Sequence, residues 1–371
     1  MTRKKVRHLI GISGGKDSTA LAIYLKLNYP EINLDYYFCD TGKELPETYD
    51  LLDELESFLG QKITRLEAAK DSPEASFDHY LKEYKGFLPS TMARWCTKKL
   101  KLEPFEDYIG DDPVISYVAI RGDENREGYI STKPNVQTVF PFRKNIWSIE
   151  ILNQVLHNDN IGDLEKLYHQ HADKAILEPL IKIIEEPTSK DYQFSEKLND
   201  LLDIDVRLFN HVVFNFLQDK NFPISGLSPE EFPILNNNEV IKKDDVFQLF
   251  EDNGVKVPAY YDEVEFEVDG KKGTFNRTRS GCFFCFYQKK IEWIWLYERH
   301  NDLFQKAKEY EKDGYTWMED ESLTDIIKPE RMKQIKEEHL QKIRNKLDPK
   351  SNKLMDILDD EDSINCANCF I

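Results

Sequence analysis

The sequence predicts an α/β fold: a parallel sheet flanked by helices, carrying a helical insertion. Three observations predict it. Apolar, strand-like runs alternate with helix-patterned stretches up to Glu124, and such alternation builds βαβ units around a parallel sheet. Polar clusters at 13–18, 40–44 and 121–127 all follow strand-like runs, where ligands of open α/β sheets bind. From about 146 to 240 the alternation stops and the pattern is mostly helical.

The first strand is "KVRHLIGIS", followed by the helix "STALAIYLKLN". A second strand, "LDYYFCDTG" (34–42), ends at Asp40, Thr41 and Gly42. The helix "LPETYDLLDELESFLG" places Leu51, Leu52, Leu55, Phe58 and Leu59 at helical spacing. "KITRLEA" reads as a third strand, and "PVISYVAIRGDE" (113–124) as a fourth that stays apolar until Arg121. In the insertion, Ile149, Leu152, Val155 and Leu156 form an apolar stripe, and 202–218 is another such stretch. His169 and His171 are two residues apart and point to different helix faces, which argues against a metal pair. After "DDVFQLFEDNGVKVPAYYD" the main fold resumes, and Trp293, Leu296, His300 and Phe304 recur as a packed helix stripe. The organisation is 1–145 as a nucleotide-binding α/β domain, 146–240 as the insertion, 241–345 as the rest of the main domain, and 346–371 as an acidic cysteine-containing tail.

Lys+Arg number 50 and Asp+Glu 68, giving a net charge of −18. Such a chain does not hold long duplex DNA by overall charge; a nucleic-acid substrate requires a local basic patch or a partner protein. The apolar part of "MTRKKVRHLIGIS" is too short for a secretion signal. No run approaches the ~18 apolar residues of a membrane helix. Six cysteines in 371 residues are not a disulfide scaffold. A cytoplasmic protein without membrane association is expected, with clustered cysteines binding metal or doing redox chemistry.

The chemistry starts at Ser13-Gly14-Gly15-Lys16-Asp17-Ser18. A Walker loop needs a glycine where Ile10 stands and a Ser or Thr where Asp17 stands, so that reading fails. The GxGxxG spacing of dinucleotide folds is also missing. What remains is strand, glycine-rich loop, helix. The glycines let backbone amides approach an anion, and the helix start adds its dipole. Ser13 and Ser18 offer hydroxyls and Lys16 a charge, while Asp17 either orients the loop or meets magnesium.

This loop resembles the SGGxDS loop of the AMP-forming ATP pyrophosphatases, whose fold is adenine nucleotide α-hydrolase-like. "FCDTGKELPETYDLL", "RWCTKKLKLEPFEDYI", "AIRGDENREGY" and "TRSGCFFCFYQ" resemble successive motifs of the phosphoadenosine phosphosulfate (PAPS) reductase family. The resemblance covers about 1–143 and 243–315 and leaves the insertion outside. It implies that Ser13, Gly14, Gly15, Lys16, Asp17 and Ser18 grip the phosphates of ATP. Asp40, Thr41 and Gly42 then sit near ribose or adenine, Arg121 reaches the phosphate side, and magnesium accompanies the nucleotide. Lys98, Lys99 and Lys101 form either a basic rim for an anionic substrate or an exposed helix face.

Cys282 and Cys285, a CxxC pair, with the distant Cys96 suit an iron–sulfur cluster or zinc. Within the family this pattern implies a [4Fe-4S] cluster. Trp95 stands where sulfonucleotide reductases carry a further cysteine, so three ligands leave one iron open and favour sulfur transfer. Cys39 reads as a small packed residue. Cys366 and Cys369 lie where reductases of the family carry a catalytic cysteine, without its usual context; nucleophile, persulfide carrier, fourth cluster ligand or no role all remain open. Three functions follow: adenylylation of a substrate with sulfur transfer to a nucleic acid, from a donor such as a cysteine desulfurase; reduction of PAPS or adenylylsulfate; or nucleotide sensing in a defence complex without turnover.

Overall fold

Five parallel strands make the central sheet in the order β3-β2-β1-β4-β5. They are β1 (Arg7–Gly11), β2 (Leu34–Asp40), β3 (Thr64–Glu67), β4 (Val114–Tyr117) and β5 (Val136–Val139). The computed structural model describes residues 4–124, 133–312 and 314–347. The tail with Cys366 and Cys369 lies outside the described residues. β1 pairs with β2 on one side (Ile10 opposite Tyr36) and with β4 on the other (His8 opposite Ile115). The chain therefore builds outward through β2 and β3, then returns to the other side of β1. The reversal at β1 and β4 opens a crevice at their carboxyl ends.

α1 (Lys16–Asn28) follows β1, and Ser18 through Leu25 are all buried. A helix buried on every side needs small and apolar residues throughout, which "STALAIYL" supplies. α2 (Pro46–Leu59) starts with proline in its first turn and stops at Gly60, whose φ of +66° suits a residue without Cβ. Its face Leu51, Leu52, Leu55 and Leu59 joins the core around α1. α3 (Ser76–Glu83) precedes a short helix α4 (Trp95–Thr97), which runs through a π-helical Lys98–Leu102 into α5 (Glu103–Ile109).

The insertion contains α6 (Ile149–Val155), α7 (Ile161–His171), α8 (Lys174–Glu185), α9 (Phe194–Ile204) and α10 (Val206–Gln218). Its buried residues, among them Leu152, Leu180, Phe209 and Phe214, are continuous with those of α1 and the sheet. Tyr24 ties α1 to the end of the insertion by donating to Glu239 Oε2 at 2.8 Å. α11 (Lys243–Asn253) then packs beside α1.

A second core gathers the cysteine region. It holds the hairpin β6 (Val264–Val268) and β7 (Lys271–Phe275), α12 (Lys290–Arg299), α13 (Asn301–Glu309), α14 (Leu323–Ile326) and α15 (Pro329–Leu347). The hairpin turns at Asp269-Gly270, both at positive φ (49° and 69°), as a two-residue primed turn requires. The stripe Trp293, Leu296 and Phe304 is buried, but the helix breaks at His300, where α12 ends and α13 begins.

Three features differ from the sequence reading. β4 stops at Tyr117, and the amide of Ile120 turns back to the carbonyl of Val118 at 3.0 Å, so Arg121 sits on a bend beyond the strand. β5 and the β6–β7 hairpin have no counterpart in it. Four-residue β5 is too short to show alternation.

Candidate functional site

The loop after β1 is fixed by its own serines. The Ser13 amide donates to Ser18 Oγ at 3.1 Å, the two hydroxyls are 3.1 Å apart, and Ser18 Oγ donates to the Gly15 carbonyl at 3.3 Å. Gly14 has φ +72°, and a Cβ there would stand 2.3 Å from Thr48 Cγ2 on α2. A Cβ on Gly15 would stand 2.6 Å from Ser280 Oγ. Gly14 therefore requires glycine for conformation and for room, whereas Gly15, in extended backbone, is limited by room alone. Among the described residues no acceptor meets the amides of Gly14 or Gly15. They stand at the start of α1, where backbone N–H groups and the helix dipole favour an anion.

Asp17 orients this loop. Its Oδ2 lies 3.0 Å from Lys16 Nζ and its Oδ1 2.9 Å from Arg121 on the bend after β4. Burial raises the Asp17 carboxyl, but Lys16 and Arg121 together hold it below the usual carboxylate range. Both oxygens are engaged by cations, so the geometry supports the orienting role for Asp17 over a magnesium ligand. Arg121 is itself only 3% exposed, with Nε on Asp123 at 2.9 Å and a terminal nitrogen 3.1 Å from Glu124. Its charge clamps three carboxylates across the crevice between β1 and β4.

Asp40 caps the turn after β2 by accepting from the Gly42 amide at 2.8 Å. Glu44, buried nearby, accepts from Thr41 Oγ1 at 2.7 Å. The Tyr49 hydroxyl reaches both Asp40 Oδ1 (2.9 Å) and Glu44 Oε2 (3.1 Å). One hydroxyl proton serves only one oxygen at a time. Burial, with the Asp40 charge beside it, pushes Glu44 up to about 7.

Thr41 Oγ1 also lies 3.2 Å from Cys282 Sγ. Cys282, Cys285 and Cys96 line one cavity of about 60 Å³, with Thr41, Leu100 and Lys101. Burial, and the charge of Glu44, raise the Cys282 thiol well above its usual range. Three thiols on one mostly apolar wall have the donor chemistry of a soft-metal site. Among the described residues no group of three or more His, Cys, Asp or Glu stands close enough to hold one ion. Cys39 is a packed core thiol, raised to about 12 by burial.

Residues 7–144 match the model of the phosphoadenosine phosphosulfate reductase domain. The chain carries a PAPS reductase domain. It is 30% identical over 180 residues to an uncharacterized protein of Methanocaldococcus jannaschii, covering 45% of this chain and 34% of that one. It is 28% identical over 137 residues to the tRNA-specific 2-thiouridylase MnmA of Actinobacillus pleuropneumoniae (34% and 33%). The mitochondrial tRNA-specific 2-thiouridylase 1 of Dictyostelium discoideum is 31% identical over 124 residues (31% and 27%). The chain spans about a third of the length of the curated relatives it matches.

The PAPS reductase domain holds the loop, Asp40–Gly42, Cys96 and Arg121; Cys282 and Cys285 come from beyond it. Of the three lysines, Lys99 pairs with Glu103 at 2.9 Å, Lys101 lines the cysteine cavity and Lys98 is exposed, so they do not form one rim. Tyr260, Tyr261 and Ser280 also belong to the site. Tyr260 donates to the Gly14 carbonyl at 2.6 Å, Tyr261 accepts from the Lys16 amide at 3.4 Å, and Ser280 Oγ is 3.5 Å from Ser13 Oγ. Ser280 stands in the TRSGCFFC stretch, which marks it; nothing local marks the tyrosines. Among the described residues no helix is long and apolar enough to cross a membrane.

Proposed function

We propose that the chain is an ATP-dependent, AMP-forming enzyme that activates an acceptor oxygen as its adenylate and replaces it with sulfur. One observation carries this reading: the stretch Ser280–Cys282 touches the phosphate loop at one end and Thr41 in the cysteine cavity at the other. A nucleotide anchored on the loop thus lies beside the three thiols.

The amides of Gly14 and Gly15, the hydroxyl of Ser13, which Ser18 positions, and Lys16 receive the β- and γ-phosphates. The acceptor oxygen attacks the α-phosphorus, the bond from that phosphorus to the bridging oxygen breaks, and pyrophosphate leaves. The loop donors offset the charge gathering on the leaving group, and because Asp17 and Arg121 hold them in place they need no reorganisation. A sulfur nucleophile at the sulfide level then displaces AMP, leaving sulfur where oxygen was. Cys96, Cys282 and Cys285 are the residues that would hold a [4Fe-4S] cluster, which supplies thiophilic iron when bound.

The test is product analysis with anaerobically purified protein, an oxygen acceptor, sulfide and ATP, with iron and acid-labile sulfide assayed in parallel. AMP and pyrophosphate in equal amounts are expected, with iron lost when Cys96, Cys282 and Cys285 are all serine. Sulfite released from PAPS without ATP cleavage would overturn the reading in favour of sulfonucleotide reduction.

A further inference from the structure

Beside the cysteine cavity, uncompensated cations and exposed aromatic rings share one face. Pro89, Cys96 and Tyr287 line the cavity, and the loop 84–94 between α3 and α4 forms its neighbouring surface. Trp95 anchors this loop: its indole N–H donates to the Phe87 carbonyl at 3.0 Å and its ring stacks on Tyr84 at 5.0 Å. On that anchored support Phe87 is 42% exposed and meets Tyr315, 48% exposed, edge to face at 5.6 Å. Met92, on the same loop, is 92% exposed.

The cations here are unlike their neighbours. Lys43 is paired with Asp78, Lys99 with Glu103 and Lys290 with Asp320. Among the described residues no carboxylate pairs with Arg94, Arg279 or Lys312. Arg94 and Arg279 both lie over the Tyr287 ring, at 5.4 and 5.6 Å from its centre. Arg279 also buries two guanidinium nitrogens that have no hydrogen-bond partner. In a chain of net charge −18, such a group of unpaired cations attracts a local anion rather than serving general solubility.

We propose that this face binds a single-stranded nucleic-acid segment and presents one nucleotide to the cysteine cavity. Unstacked bases lie on Phe87 and Tyr315, and the phosphodiesters meet Arg94 and Lys312. Exposed rings accept unpaired bases of any sequence, with cations along the backbone path. A duplex hides its base faces, and the acidic remainder of the chain repels its doubled charge. The delivery of a nucleotide to the cavity rests on the sulfur-transfer reading above; the binding does not.

The test is fluorescence anisotropy of the full chain with a labelled single-stranded RNA of about 12 nucleotides, within the range of known single-strand footprints, at several salt concentrations. Phe87→Ala with Tyr315→Ala is expected to weaken binding at least tenfold. Arg94→Gln and Lys312→Gln are each expected to flatten the dependence of log K on log salt by about 0.7. Leu27→Ala, exposed at the far end of α1, is the control and leaves binding unchanged. Equal binding of duplex RNA, equal binding of a free nucleoside monophosphate, or indifference to the double aromatic variant would overturn the proposal. ATP binding is measured on the same samples. Strand binding without ATP binding removes the enzymatic reading and keeps this one, and ATP binding without strand binding does the reverse.

Discussion

Gly14→Ala tests whether the phosphate loop is held as described. The added methyl would stand 2.3 Å from Thr48 Cγ2, on a residue whose φ is +72°. Thr48 is wholly buried, so its methyl cannot swing into solvent. A left-handed backbone costs an L-residue about 1–2 kcal/mol, and overpacking a tight contact costs about 1–3 kcal/mol. Together they predict a loss of about 2–5 kcal/mol. Thr48→Ser removes the opposing methyl and leaves the backbone strain. In a double-mutant cycle it therefore recovers about 1–3 kcal/mol of the alanine's cost. Equilibrium urea unfolding measures both effects, and calorimetric titration with ATP reads the accompanying loss of affinity. The reasoning is refuted if Gly14→Ala stays within about 0.5 kcal/mol of the parent, or if the serine recovers nothing.

Arg121→Met leaves Asp17, Asp123 and Glu124 facing one another in a buried crevice, and a loss of about 3–5 kcal/mol is expected by urea unfolding. Arg121→Lys recovers less than half of it, because one ammonium cannot reach Asp123 through Nε and Asp17 through a terminal nitrogen as the guanidinium does. His8 is buried against the Tyr117 hydroxyl at 2.8 Å, and burial lowers it to about 4 from its ordinary 6.5. Its contribution to stability is complete above pH 6.5 and is lost as the pH falls toward 4, at no more than about 1.4 kcal/mol per pH unit. His8→Gln is expected to flatten that part of the stability–pH curve. Cys39, with its thiol raised to about 12 by burial, stays unmodified by iodoacetamide at neutral pH until the chain unfolds, as peptide mass mapping would show.

What the sequence discloses here follows the range of the interactions. β1, β2 and the loop between β1 and α1 are legible because one short segment contains the apolar run, the glycines and the helix start. β4 misleads: Val118, Ala119 and Ile120 are as apolar as a strand, yet they are buried in a bend that carries Arg121 inward to Asp17. The β6–β7 hairpin is signalled by Asp269-Gly270, but its alternation is weak, since Lys271, Lys272 and Gly273 dilute the apolar face. Cys96, Cys282 and Cys285 are marked by residue type and resemblance, and the fold brings them to one cavity. Tyr260 and Tyr261 escape detection because their contacts with Gly14 and Lys16 span some 245 residues, and no local pattern encodes a hydrogen bond of that reach.

The bond of ATP that is cut tests the central claim most directly. With acceptor and sulfide present, β,γ-methylene-ATP is expected to yield AMP and methylene diphosphonate, while α,β-methylene-ATP stays intact. Cleavage of the α,β-methylene analogue to release phosphate, or ADP as the product of ATP itself, would contradict the account.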